Sequence, residues 1–169
     1  MKLICRSLFA LLVISALPAC SVHIAKSEVT RYPIPNSDFP IAQAVEVPAG
    51  KTLIFHSGLT PAPVNPEAIK YSTEYWGTTE QQAFSVLSKI KTSLEAIGLT
   101  MADVVKMQVF LVTDPTKDGR MDFDGFMRSY RKFYGAPEQP QLPARTTVQI
   151  PGLAAPGMLV EIDVVAVRP

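Results

Sequence analysis

The chain has 169 residues, room for one ordinary domain with a single core. With 47% hydrophobic and 18% charged residues it belongs to the globular class, not the disordered one. A formal net charge of +1, with no run of like charge, offers no strongly basic surface for nucleic acid or acidic lipid.

The N-terminus carries Lys2 and Arg6, then an apolar run from Leu8 to Leu17, then Pro18-Ala19-Cys20-Ser21. A basic start, a short apolar core and a small residue before the cut describe a secretory signal over residues 1–20, too short to span a membrane. Leu17-Pro18-Ala19-Cys20 also resembles the bacterial lipobox, in which the cysteine is lipidated and becomes the new N-terminus. The expectation is a periplasmic-side lipoprotein anchored through Cys20, with plain secretion or an uncleaved anchor as alternatives. Ser21, not aspartate, follows the cysteine, which points to the outer membrane. Cys5 would leave with the signal and Cys20 would carry lipid, so no cysteine pair remains for a metal or redox site. Losing Lys2 and Arg6 lowers the basic residues from 16 to 14 against 15 acidic ones, a mature charge of −1.

Residues 21–38 read as a tether, and 39–169 as the domain. Ile41–Val47 alternates like a strand, Pro48–Lys51 is a turn by composition, and Thr52–Gly58 is a second strand, so the two read as a hairpin. Leu59–Trp76 has no steady period and reads as a long loop, a kind that is usually functional or mobile. Thr78 or Thr79, followed three residues later by Gln81 or Gln82, offers a capping box for a helix. Ala83, Val86, Leu87, Ile90, Leu94 and Ile97 recur at helical spacing, and Gly98 closes the helix. Asp103–Thr113 is a strand rich in β-branched residues. Phe123–Tyr134 is a second helix, whose aromatic stripe reads as core packing. Ala144–Ile150 and Leu159–Val167 are the last strands, with a turn at Pro151–Gly157 between them that would allow a hairpin. The order β-β-α-β-α-β-β predicts an α+β fold, a sheet covered by two helices.

The sequence holds no glycine-rich phosphate loop, HExxH, CxxC or GxSxG. His56 and Ser57 are strand neighbours and so point to opposite faces, which leaves His56 a strand histidine without a catalytic task. Arg145 shares a strand face with Thr147 and Gln149, and Glu161 shares one with Asp163. If the last two strands pair as a hairpin, Arg145 and Glu161 come within reach of each other. They are then either an ion pair on a wet face, or a guanidinium fork for a carboxylate beside a group that handles water.

Leu142-Pro143-Ala144-Arg145-Thr146-Thr147, followed by Val160-Glu161-Ile162-Asp163-Val164-Val165-Ala166-Val167, resembles the closing signature of the reactive intermediate deaminase (RidA/YjgF) family. Upstream, Ile54–Gly58 resembles the family's Ser-Gly strand, and Val104–Asp114 its Val-Val-Lys segment. The resemblance covers about residues 40–169. It implies a chorismate-mutase-like sheet on two helices, assembled as a homotrimer with clefts between chains. It further implies that Arg145 holds the carboxylate of a 2-imino acid and that Glu161 positions water. Ser57, Gly58, Thr146 and Thr147 would complete the binding set, with no cofactor and no metal. The implied reaction is hydrolysis of an imine or enamine such as 2-iminopropanoate or 2-iminobutanoate to the 2-keto acid and ammonia. Ile41 and Leu59 stand where the best-known subgroup has tyrosine and glutamine. A non-catalytic trimer that binds a small carboxylate or a partner is the alternative. Nucleic acid is not expected as a partner.

Overall fold

In a computed structural model, which describes residues 28–169, six strands form one sheet in the order β1-β2-β5-β4-β6-β3. The strands are β1 Thr30–Pro33, β2 Ala42–Glu46, β3 Leu53–Leu59, β4 Val104–Val112, β5 Ala144–Ile150 and β6 Val160–Val167. The helices are the single turn α1 Thr73–Trp76, then α2 Thr79–Ala96 and α3 Phe123–Tyr130. The α+β reading therefore holds. The expected signal segment, with Cys20, lies outside the described residues.

Helix α2 forms where its caps and its apolar stripe agree. The Thr78 side chain accepts from Gln81 N–H while Gln81 reaches back to the Thr78 N–H, a complete capping box that contributes about 1 kcal/mol. Ala83, Val86, Leu87, Ile90 and Leu94 are fully buried. At the other end Gly98, at φ 74°, lets Leu99 N–H bond the Leu94 carbonyl and bury its side chain against the core. This buried face, with Phe126, Tyr130 and Tyr134 from the α3 region, covers Met107, Val109 and Leu111 of β4 and Ile162 and Val164 of β6. The second helix ends at Tyr130, earlier than its aromatic stripe suggests, and residues 131–134 continue as turns.

Both expected hairpins are corrected. β2 pairs antiparallel with β1 and parallel with β5, whereas β3 pairs antiparallel with β6 at the far edge of the sheet. The reason is a competitor: β1 comes from the stretch read as a tether, and it takes the β2 edge that β3 would have used. The tether expected to run to residue 38 is thus cut short, because the sheet begins at Thr30. Pro33 ends β1 on the sheet edge, where its missing N–H costs no ladder bond. The β5–β6 hairpin does not form either. β4 lies between them, parallel to β5 and antiparallel to β6, and α3 makes the crossover that a parallel pair needs.

The Leu59–Trp76 stretch is a loop apart from Leu59, which ends β3, and α1, and it is fastened down. Ala62 N–H donates to Ser85 Oγ (3.0 Å), and Lys89 Nζ to the Thr60 carbonyl (2.7 Å). Trp76 is buried, stacks on Tyr71 and donates its indole N–H to the Pro156 carbonyl at 2.8 Å.

Candidate functional site

The sheet register decides which face each candidate occupies. Arg145 pairs with Met107, and Thr147 with Val109; both partners lie in the buried, helix-covered layer. Glu161 pairs with Phe110, which pairs on its other side with Val148 on the opposite, open face. Side chains at paired positions share a face, and odd steps along a strand change it. Within one chain, then, Arg145 and Glu161 stand on opposite faces with β4 between them, and the expected close approach does not occur.

Arg145 is set in an aromatic cage. Its guanidinium carbon lies 4.3 Å from the Tyr130 ring centroid, 5.0 Å from Phe126, 5.4 Å from Phe39 and 5.9 Å from Phe123. Each face-on ring attracts the cation, more strongly where water is excluded. Burial nonetheless lowers its pKa from the ordinary value, an effect that neighbouring Tyr130 opposes. The guanidinium keeps its charge, since arginine does not deprotonate in proteins. Nη1 is enclosed without a hydrogen-bond partner, as is Thr147 Oγ1 on the same strand face. Tyr130 donates its hydroxyl to the Pro40 carbonyl at 2.9 Å, and burial pushes its pKa well up, so it stays a neutral phenol. The aromatic stripe of α3 is therefore core, as its pattern suggests, and also the frame that holds Arg145. Periodicity reveals the first role and not the second, because Arg145 is distant in sequence.

Beside Arg145 the sheet parts. β2 and β5 share only the Ala42–Ala144 bridge, and a shallow depression opens there. Ile34, Pro35 and Ile41 bound it on the β1–β2 side, and Lys106, Arg145 and Thr146 on the other. Thr146 is exposed, and its Oγ1 accepts from Lys106 Nζ at 3.0 Å. Lys106 stands out only as the lysine of the Val-Val-Lys segment and Ile34 not at all; the parting of the strands is what brings them to this site.

The second group of candidates gathers at the β3–β6 edge. The β3–β6 register slips between His56 and Leu59, and Gly58 lies against the Glu161 side chain. A Cβ on Gly58 would meet the carboxylate end of Glu161, so a larger residue here would push that flexible side chain aside. Ser57 is exposed beside it. His56 points away from this group. Its Nδ1 lies 2.8 Å from the Ser57 carbonyl, which can only accept, so Nδ1 carries the proton and Nε2 accepts from Ser93 Oγ at 2.7 Å. That bond fastens edge strand β3 to α2. Of the residues expected in the site, the structure brings Ser57, Gly58 and Glu161 together in one place, and Arg145, Thr146 and Thr147 in another.

A more enclosed cleft lies past the far end of β4, bounded by Thr73, Asp114, Lys117, Asp122 and Arg128. Its acids are already engaged. Asp114 accepts from Thr79 Oγ1, Thr116 N–H and Thr116 Oγ1, and Asp122 caps α3 through Gly125 N–H. Among the described residues no group of three or more His, Cys, Asp or Glu is placed to hold a metal.

A family model described as Endoribonuclease L-PSP matches residues 35–168. Protein DfrA of Myxococcus xanthus is 36% identical over 147 residues, covering 86% of this chain and 98% of its own. A RutC family protein of Haemophilus influenzae is 34% identical over 129 residues, covering 76% and 87%. Among solved structures, the Rid-family protein YyfB of Yersinia pestis superposes with a TM-score of 0.61 at 22% identity, covering 82% of this chain and 97% of its own. Escherichia coli TdcF, solved with bound serine, superposes with a TM-score of 0.53 at 30% identity, covering 77% and 89%.

Proposed function

The chain belongs to the Endoribonuclease L-PSP family, which includes the RidA/YjgF proteins, and from that premise we propose that it hydrolyses small 2-imino or enamine acids to 2-keto acids and ammonia. The observation that carries this reading is the Arg145 guanidinium, caged by four rings and left with an enclosed nitrogen that has no partner. An unpaired buried donor is costly to fold, and a bound carboxylate removes that cost while gaining charge-assisted bonds. The serine bound to TdcF is a ligand of the same kind, a small molecule with an amino-acid carboxylate.

With the carboxylate fixed at Arg145, the imine carbon is already electrophilic, so orientation and charge complementarity supply most of the catalysis. Glu161 is the group suited to hold the attacking water and accept its proton. The water oxygen bonds to the imine carbon, and the proton taken by Glu161 is passed to nitrogen to give a carbinolamine; transfer of the hydroxyl proton to nitrogen then forms the carbonyl as the C–N bond breaks and ammonia leaves. Because the two residues face opposite ways in one chain, a cleft holding both is formed between copies, with Arg145 from one and Ser57, Gly58 and Glu161 from the next. The open sheet face suits such assembly as a homotrimer: Phe55 is 78% exposed there and Val148 40%. The basic, apolar and Leu17–Cys20 segments support export and lipid anchoring at Cys20 on the periplasmic side. A mature charge of −1 argues against the RNA substrate named in the family's description.

The test is ketoacid release from freshly generated 2-iminopropanoate. Acceleration by the protein and its loss in Arg145→Ala support the reading; no acceleration ends it. A carboxylate-binding trimer without turnover would instead show ligand-raised melting temperatures that depend on Arg145. Incorporation of labelled palmitate that disappears in Cys20→Ala tests the anchor.

A further inference from the structure

The depression beside Arg145 has a definite polarity. Ile34, Pro35 and Ile41 give it an apolar side, Gln43, Lys106 and Thr146 give it a polar rim, and Arg145 lies on its boundary. Ile34 and Ile41 are each half-buried, and Ile41 also packs on the core, so they present hydrocarbon with little freedom to withdraw. Lys106 is the competing feature, a cation at the rim that would welcome an acidic substituent. Its ammonium is directed to Thr146 Oγ1, with the carboxylate of Asp163 close enough to feel its charge. One of its donors and part of its charge are thus already engaged within the protein.

Resting on the imine-hydrolysis reading, we propose that this depression receives the substituent of the acid, and that the preferred substrates carry a hydrocarbon substituent larger than methyl, not an acidic, amide or hydroxyl one. The carboxylate binds at Arg145 and the hydrocarbon lies against Ile34 and Ile41. Each methylene taken out of water improves binding by roughly fourfold. A polar substituent laid against Ile34 and Ile41 would give up its water without gaining a partner on that side.

The experiment uses the full-length protein in detergent and imines generated in place by an amino-acid oxidase from alanine, leucine, serine and glutamate. The expected kcat/KM for the leucine-derived imine exceeds that for the alanine-derived one by about tenfold or more, a ratio within reach of a hydrophobic pocket. Ile41→Asn and Ile34→Asn each shrink that ratio. A preference for the serine- or glutamate-derived imine, or a ratio unmoved by both variants, overturns the inference. If no imine is turned over, the hydrolysis reading falls and the depression is judged by binding alone. A larger melting shift with 4-methyl-2-oxopentanoate than with pyruvate, reduced in both variants, then upholds it. Equal shifts, or none, overturn it.

Discussion

The two ends of the candidate site are built in opposite ways. At the start of β5 a charged group is sunk among four rings and one of its nitrogens has no partner. At the β3–β6 edge the side chains are small or exposed: Ser57 faces solvent, Gly58 yields space to Glu161, and His56 is satisfied by Ser93. The first region bears the cost of a desolvated charge, offset in part by its rings, whereas the second bears almost none and contributes shape. Binding strength should therefore reside at Arg145, and the edge should govern how water is placed.

The largest expected effect is on turnover. Arg145→Ala should lower kcat/KM by roughly a hundredfold or more, the scale for losing a positioned charge donor. Arg145→Met should lose activity equally while melting no lower than wild type, because it removes a desolvated charge and keeps the packing. A melting point that falls by several degrees would mean the cage is structural and would break the contrast between the two regions.

Glu161→Gln should reduce kcat while leaving ketoacid binding, read by thermal shift, close to wild type. Equal losses in both would make Glu161 a binding group. Next comes assembly: if the proposed trimer forms through the open face, Phe55→Asp or Val148→Asp should shift the protein from trimer to monomer in sedimentation, with its helical signal kept. An unchanged sedimentation coefficient would place the interface elsewhere. Gly58→Ala should displace the Glu161 carboxylate and lower kcat, while denaturant unfolding shows a loss of stability below about 1 kcal/mol. The smallest effect belongs to Ser93→Ala. It should lower stability by about 1 kcal/mol, the net worth of the His56 bond, and leave turnover alone. A large loss of turnover there would make the His56–Ser93 pair more than a fastening.

Much of this was legible in the residues themselves. The α2 helix could be read end to end, since the Thr78–Gln81 box, the stripe from Ala83 to Leu94 and Gly98 are all local signals fixed by helical geometry. Strands β2 to β6 were legible as strands, because alternation sets which side chains share a face. The Arg145 and Glu161 positions stood out through a closing signature that no periodic argument would have supplied.

Partner choice was not legible. Alternation says which residues face together and nothing about which strand lies alongside, so two hairpins were expected where β1 and β4 intervene. Thr30–Pro33, short and next to prolines, carried no strand pattern; a free edge on β2 gave it one. The cage around Arg145 joins Phe39, α3 and β5 across more than a hundred residues, and no local pattern spans that distance. Most consequential is the face assignment. The sequence placed Arg145 and Glu161 on strands, and only the packing of helices against one side of the sheet put them on opposite faces, because the side that buries Met107, Val109 and Ile162 leaves the other side open.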